Sequence, residues 1–151
     1  MSRVQLALNV DDIDEAITFY SKLFATGPAK VRPGYANFAV DDPPLKLVLI
    51  ENPGHGGTLN HLGVEVETTD EVTATGARLA GEGLATATEQ QVSCCYAVQD
   101  KVWVDDPDGA PWEIYTVLAD AEMPAGQLRT VAPGEDAMCC GAAPESAARC
   151  C

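Results

Sequence analysis

Gln5-Leu6-Ala7-Leu8-Asn9-Val10 returns 56 positions later as His61-Leu62-Gly63-Val64-Glu65-Val66. The same offset carries Asp14-Glu15 onto Asp70-Glu71 and Leu23 onto Leu79. Both hexamers alternate with period two, the pattern of half-buried strands. Leu6, Leu8 and Val10 share one face, with Gln5, Ala7 and Asn9 on the other. In the second copy Leu62, Val64 and Val66 oppose His61, Gly63 and Glu65. Gln5 and His61 therefore hold equivalent positions on equivalent strands.

A helix is predicted after each strand. Ile13, Ala16, Ile17, Tyr20 and Phe24 have the spacing of a buried helical stripe. Asp12 can cap this helix, and Thr68 with Glu71 reads as a capping box for the second. Gly27-Pro28 and Gly81-Glu82-Gly83 are the stop signals. Strands are then expected over Tyr35–Val40 and Leu45–Glu51, and in the second half near Leu84–Thr88, Tyr96–Val104 and Trp112–Val117. Asp106-Pro107-Asp108-Gly109 is a strong turn between the last two. The fold class is α+β: two βαβββ modules, about 3–51 and 60–118, side by side as a cupped sheet around a shared cavity, in one domain over 2–118.

Residues 119–151 contain no aromatic residue but nine Ala, three Gly and three Pro, a composition too poor in apolar bulk to offset its ordering entropy. This segment is expected to be a disordered, Cys-containing tail. Nine basic against 23 acidic residues give a net charge of −14, which argues against nucleic acid and anionic membrane as partners. The longest run of large aliphatic residues, Leu47–Ile50, is far too short to span a bilayer. Met1-Ser2-Arg3-Val4 does not read as a signal peptide, so a cytoplasmic location is expected.

All six cysteines fall in adjacent pairs: Cys94-Cys95, Cys139-Cys140 and Cys150-Cys151. Neighbours close no loop, so a disulfide framework is not indicated, and without a CxxC pair neither is a zinc finger. In a reducing compartment the six are expected to be thiols, and adjacent thiols suit a soft, thiophilic element. Small-residue filler is the plain alternative, above all for the two tail pairs.

Gln5, His61 and Glu113 can converge in the cup. Glu113 shares a strand face with Tyr115 and opposes Trp112 and Ile114. One imidazole, one carboxylate and a neutral amide oxygen suit a divalent transition metal. The set resembles a 2-His-1-carboxylate facial triad with one His replaced by Gln, leaving open positions and a net charge of +1 at the metal. Taken singly, each has a bland alternative: a hydrogen-bonded structural His, an ordinary Gln, a Glu pointing to solvent. The repeat favours the metal reading. His55, in the loop His55-Gly56-Gly57, is assigned no role.

The duplicated modules, Asn60-His61-Leu62-Gly63 opening the second, and Asp-Pro-Asp-Gly before Glu113 resemble the vicinal oxygen chelate superfamily: glyoxalase I, type I extradiol dioxygenases, and bleomycin and fosfomycin resistance proteins. Ser93-Cys94-Cys95-Tyr96-Ala97-Val98-Gln99-Asp100-Lys101-Val102-Trp103 is similar to the signature of its dioxygen-dependent C–As lyases, arsenic-resistance members grouped with cadmium-induced proteins. Asn9-Val10, Phe19-Tyr20 and the Cys-rich tail match as well.

That resemblance implies an enzyme degrading trivalent organoarsenicals, such as methylarsonous and aromatic arsonous acids, to arsenite. It implies non-haem Fe(II) held by Gln5, His61 and Glu113, dioxygen as co-substrate, and arsenic bound by Cys94 and Cys95. Lys101 and Tyr115 are pocket candidates, with a surface position an equal alternative for Lys101. A homodimer is compatible with this reading. Two alternatives stay open: a glyoxalase-type isomerase or thiol transferase, normally with a fourth metal ligand, and a non-catalytic cadmium- or arsenic-binding resistance protein. The roles of Cys139, Cys140, Cys150 and Cys151 stay open as well.

Overall fold

A computed structural model of the chain describes residues 2–94 and 96–121. Ten elements follow one another: β1 (Arg3–Val10), α1 (Ile13–Leu23), β2 (Lys30–Arg32), β3 (Tyr35–Val40), β4 (Leu45–Glu51), β5 (Leu59–Glu65), α2 (Thr69–Gly81), β6 (Thr86–Cys94), β7 (Ala97–Asp105) and β8 (Pro111–Asp120). Each half is βαβββ, as the repeat predicts. The strand order β2-β3-β4-β1-β5-β8-β7-β6 is the same on both sides of its centre. There β1 and β5 pair antiparallel, while β4 joins β1 and β8 joins β5 in parallel.

The helices begin where their caps predict. Asp12 accepts from the Glu15 amide, and Thr68 with Glu71 forms the complete capping box. Helix α1 ends at Leu23, with Ala25 just beyond it at φ 51°, and Gly83 takes φ 86° after α2. The α1 stripe packs with Leu6, Leu8 and Val10 onto a cluster of Ala36, Phe38, Val40, Leu47 and Leu49. Helix α2 covers β7 and β8, burying Val72 and Leu79, and comes close over Val102 at Gly76. The helices thus cover one face of the sheet and leave the other to form the cup.

Three local expectations are corrected. The short strand Lys30–Arg32 has no hydrophobic run, and its place comes from pairing with β3. The strand read as 84–88 runs from Thr86 to Cys94, so the segment before Cys94 is a paired edge strand. Its polar sequence Glu89-Gln90-Gln91 hides the strand, because the ladder shifts register there and Gln91 adopts φ 51°. Strand β8 reaches Asp120, past the expected end at Val117. The tail, apart from 119–121, lies outside the described residues. Among the described residues no helix is long and apolar enough to cross a membrane.

Candidate metal centre and its cavity

The face of β1 carrying Gln5, Ala7 and Asn9 is the more deeply buried one, although two of the three are polar. Buried polar groups need partners, and these have them. Gln5, His61 and Glu113 are each at most 3 % exposed and meet in one cluster. Gln5 Nε2 lies 3.0 Å from His61 Nε2 and donates to Glu113 Oε1 at 2.6 Å. His61 Nε2 is 3.3 Å from the same carboxylate oxygen. The alternative of a solvent-facing Glu113 is therefore excluded, whereas a buried, hydrogen-bonded His61 agrees with a structural role as well as with a ligand's.

Backbone geometry explains the convergence. Gly63 pairs with Gln5 on one side and with Glu113 on the other. A Cβ there would sit 3.0 Å from Glu113 Cγ and 3.3 Å from Gln5 Cβ, so only glycine leaves room for the two side chains to close over it. The β1–β5 register shifts between Ala7 and Leu8, opposite His61 and Leu59, which leaves Asn60 outside the pairing. Asn60 is thereby able to reach its neighbour. Asn60 Oδ1 lies 2.7 Å from His61 Nδ1, and a carbonyl oxygen accepts, so Nδ1 carries the hydrogen and the Nε2 lone pair faces Gln5 and Glu113. Asn60 is held in turn by Asn9, and Asn9 by Thr58.

Lys101 is fully buried, and the surface alternative is overturned. Its ammonium donates to Glu113 Oε2 at 2.9 Å and lies over the Trp103 ring. The polar sequence around it conceals this, because β7 is covered on both faces. Burial by itself would raise the Glu113 pKa, but the charge and hydrogen bond of Lys101 oppose it, and the carboxyl is held well below the usual range. Tyr115 is also buried and donates to Gln5 Oε1 at 2.5 Å. Burial, then the Glu113 charge, pushes its phenol far above the ordinary value, so it serves as a neutral donor.

These residues open on a cavity of about 190 Å³ whose wall includes Gln5, His61, Glu113, Tyr35, Val48 and Lys46. Cys94 is fully buried in a cluster with Ala7, Tyr35, Val48, Ile50 and Tyr96, so the structure brings it to the residues of this wall. Cys94 is disulfide-bonded, which corrects the expected free thiol; its partner, like Cys95, lies outside the described residues.

The residue types fit a divalent first-row ion: an imidazole nitrogen and a carboxylate, deeply buried, with the histidine tautomer fixed from behind, and the Gln5 amide, which turns Nε2 to this pair and Oε1 to Tyr115 and offers oxygen to an ion only after its amide rotates. Among the described residues no three His, Cys, Asp or Glu gather, so the amide of Gln5 is needed to complete a set of three. Lys101 makes the charge at such an ion more positive by one than the sequence reading supposed. Asn60, Gly63, Val48 and Lys46 were not foreseen; Asn60 stood next to the histidine, but only the bulge turns it toward the ring.

The comparisons with known proteins agree with this geometry. Residues 3–114 match the family profile of the Glyoxalase/Bleomycin resistance protein/Dioxygenase superfamily. The chain is 62% identical over 142 residues to "Cadmium-induced protein CadI" of Mycobacterium tuberculosis, covering 93% of each chain. It is 59% identical over 141 residues to "Trivalent organoarsenical cleaving enzyme" of Thermomonospora curvata, covering 93% of this chain and 89% of that protein. Among solved structures, the Mn(II)-bound glyoxalase from Novosphingobium aromaticivorans superposes with a TM-score of 0.58 at 19% identity, over 88% of this chain and 44% of that one, a likeness of fold. The duplicated sheet and these identities place the chain in the glyoxalase/bleomycin resistance/dioxygenase superfamily, within the group formed by the trivalent organoarsenical cleaving enzymes and CadI.

Proposed function

We propose that this protein is a C–As lyase that uses Fe(II) and dioxygen to degrade trivalent organoarsenicals to arsenite. The observation that carries the reading is the donor set. Ala7 and Gly63 are equivalent by the 56-residue offset, and they pair with Val48 and Glu113 respectively. The place where a fourth ligand would stand thus holds Val48, a buried apolar residue of the cavity wall. A three-donor set leaves room on a metal for two reactants, as an oxygen-dependent cleavage requires, and disfavours a closed four-ligand isomerase. The name of the 59% identical relative supports the same class of substrate.

In this reading Gln5, His61 and Glu113 hold the ion. Fe(II), when bound there, supplies dioxygen activation beside the C–As bond. The chain's own groups do the rest. Asn60 keeps the His61 lone pair facing inward, Lys101 keeps Glu113 ionised, and the Gln5 amide rotates its oxygen from Tyr115 toward the ion. Cys94 and Cys95 capture R–As(OH)₂ by exchanging both hydroxyls for thiolate sulfur with loss of two waters, and the second exchange, being intramolecular, gains from effective concentration. In this reading the disulfide at Cys94 is reduced before capture, a requirement that a reducing compartment such as the cytoplasm would meet.

The test is anaerobic reconstitution of the reduced protein with Fe(II), followed by addition of methylarsonous or phenylarsonous acid with and without dioxygen. Arsenite release that needs both iron and oxygen is expected. Oxygen-independent conversion of a hemithioacetal would revive the isomerase, and stoichiometric cadmium or arsenic uptake without turnover would make the protein a metalloid binder.

A further inference from the structure

Gln99 stands on β7 two residues before Lys101, is 5 % exposed, and lines the same cavity as Gln5, His61 and Glu113. Its Oε1 is buried with no hydrogen-bond partner. Leaving such an acceptor unsatisfied carries a desolvation penalty that Leu or Met at this position would not carry. An acceptor held at a cavity wall at that cost points to a donor on the molecule that fills the cavity.

The wall restricts the donor. Arg3, Lys30 and Lys46, three of the nine basic residues of a strongly acidic chain, line this cavity. Lys46 is itself nearly buried, with Glu65 3.9 Å away and already bonded to Arg3 at 2.6 Å. Glu65 and Glu113 also line the cavity, but each is already paired, with Arg3 and with Lys101, so no lining carboxylate awaits a cationic donor, and a neutral O–H or N–H fits the unpaired Gln99 oxygen. The volume, about 190 Å³, is larger than the roughly 150 Å³ of an engineered apolar cavity that takes up benzene, so an aromatic ring is admissible.

The next step rests on the proposed function. An arsenical captured by two thiolates has given up both As–OH groups, so a remaining donor has to lie on its organic substituent. A methyl group has none. We propose that Gln99 is a specificity-determining residue that accepts a hydrogen bond from a hydroxyl or amino group on the substrate's aromatic ring, so that the cavity favours hydroxyaryl and aminoaryl arsenicals over methyl and unsubstituted phenyl ones.

The experiment compares kcat/KM of the reduced, Fe(II)-loaded full chain for phenylarsonous acid, its 2-, 3- and 4-hydroxy derivatives, the corresponding fluoro derivatives and methylarsonous acid. The same series is run on Gln99→Leu and Gln99→Met, with binding to the reduced metal-free proteins followed by tryptophan fluorescence. One hydroxyphenyl isomer should exceed both the phenyl compound and its fluoro counterpart by about ten- to a hundredfold, and that ratio should collapse in both variants. Equal ratios in the unmodified protein, or a hydroxyl advantage that survives Gln99→Leu and Gln99→Met, overturn the proposal. A hydroxyl preference in binding without turnover of any compound would remove the lyase reading and keep this one; no binding of any arsenical would remove both.

Discussion

The two modules share a backbone plan and divide the chemistry unequally. Matching positions can be read from the ladders: Gln5 corresponds to His61, Val48 to Glu113, Ile50 to Tyr115, and Tyr35 to Lys101. The second module thus supplies an imidazole, a carboxylate, a phenol and an ammonium: Lys101 donates to Glu113, His61 lies 3.3 Å from the same carboxylate, and Tyr115 reaches across to Gln5 of the first module. The first presents one amide, and its Val48, Ile50 and Tyr35 form an apolar cluster with Cys94. Burial pushes the Tyr35 phenol up to about 12, with the Asn37 hydrogen bond partly opposing, so the phenol is neutral and the charges on this side of the cup are those of Arg3, Lys30 and Lys46. In the proposed reading the second half supplies the charged donors for the cation and the first an apolar cluster beside it. A duplicated fold makes this division possible, because each strand position occurs twice and only one copy needs to keep a ligand.

The sharpest way to break the comparison is to remove the corresponding donor from each half. His61→Ala should lower Fe(II) affinity by more than the roughly 10–100-fold typical of losing an outer partner, and abolish turnover. Gln5→Ala should do less, since a neutral amide oxygen is the weaker donor. Iron stoichiometry after anaerobic reconstitution measures both, and equal losses would show that the halves contribute alike.

Next in size is Lys101→Met, which leaves Glu113 buried without its cation and should cost about 3–5 kcal/mol in the metal-free protein. The sign of the pH effect follows from the depressed Glu113 pKa. The stabilisation is complete above the ordinary carboxylate range and is lost as pH falls toward the folded-state value. In the variant burial acts without the opposing Lys101 charge, the Glu113 pKa rises, and acid unfolding should begin at higher pH. The matching change in the first module, Tyr35→Phe, should leave the acid limb unchanged. An unaltered acid transition in Lys101→Met would mean that the ion pair does not hold the carboxylate.

A smaller contrast lies at the centre of the sheet. Gly63→Ala puts a methyl 3.0 Å from Glu113 Cγ and should cost about 1–3 kcal/mol by overpacking, while parting Gln5 from Glu113 and weakening iron binding. Its counterpart change, Ala7→Gly, should cost only about 0.5–1 kcal/mol through backbone entropy and leave iron affinity intact. Thermal melts and iron titration of the pair separate a local packing effect from a general weakness of the central strands.

Much of this was legible beforehand. Period-two alternation and the 56-residue offset are local properties, so β1, β5, both helix caps and the equivalence of Gln5 with His61 could be read directly. Glu113 was found because its strand alternates against Trp112 and Ile114. What escaped depends on pairing between distant strands. Lys101 meets Glu113 only because β7 lies beside β8, and Val48 takes on meaning only when the β1–β4 register is set against β5–β8. Edge strand β6 was read only at its start, near Leu84–Thr88, because an edge needs no apolar alternation and a bulge breaks its period beyond.

The smallest expected effect concerns how each half steadies its own donor. His61 is fixed by its sequence neighbour Asn60, whereas the residue before Gln5 is Val4, half exposed, and Gln5 is fixed across the sheet by Tyr115. Asn60→Ala removes the acceptor from His61 Nδ1, so the ring loses its preference for the tautomer with a free Nε2. Ligand orientation is lost but the ligand remains, and iron affinity should fall about tenfold, the low end for an outer partner. Asn60→Asp is the control. It retains an acceptor at Nδ1 and should preserve affinity, even though it gives up the donor to Asn9. If Asn60→Asp fell as far as Asn60→Ala, the link to Asn9 and Thr58 would be what matters, and the difference between a locally steadied histidine and a remotely steadied glutamine would disappear.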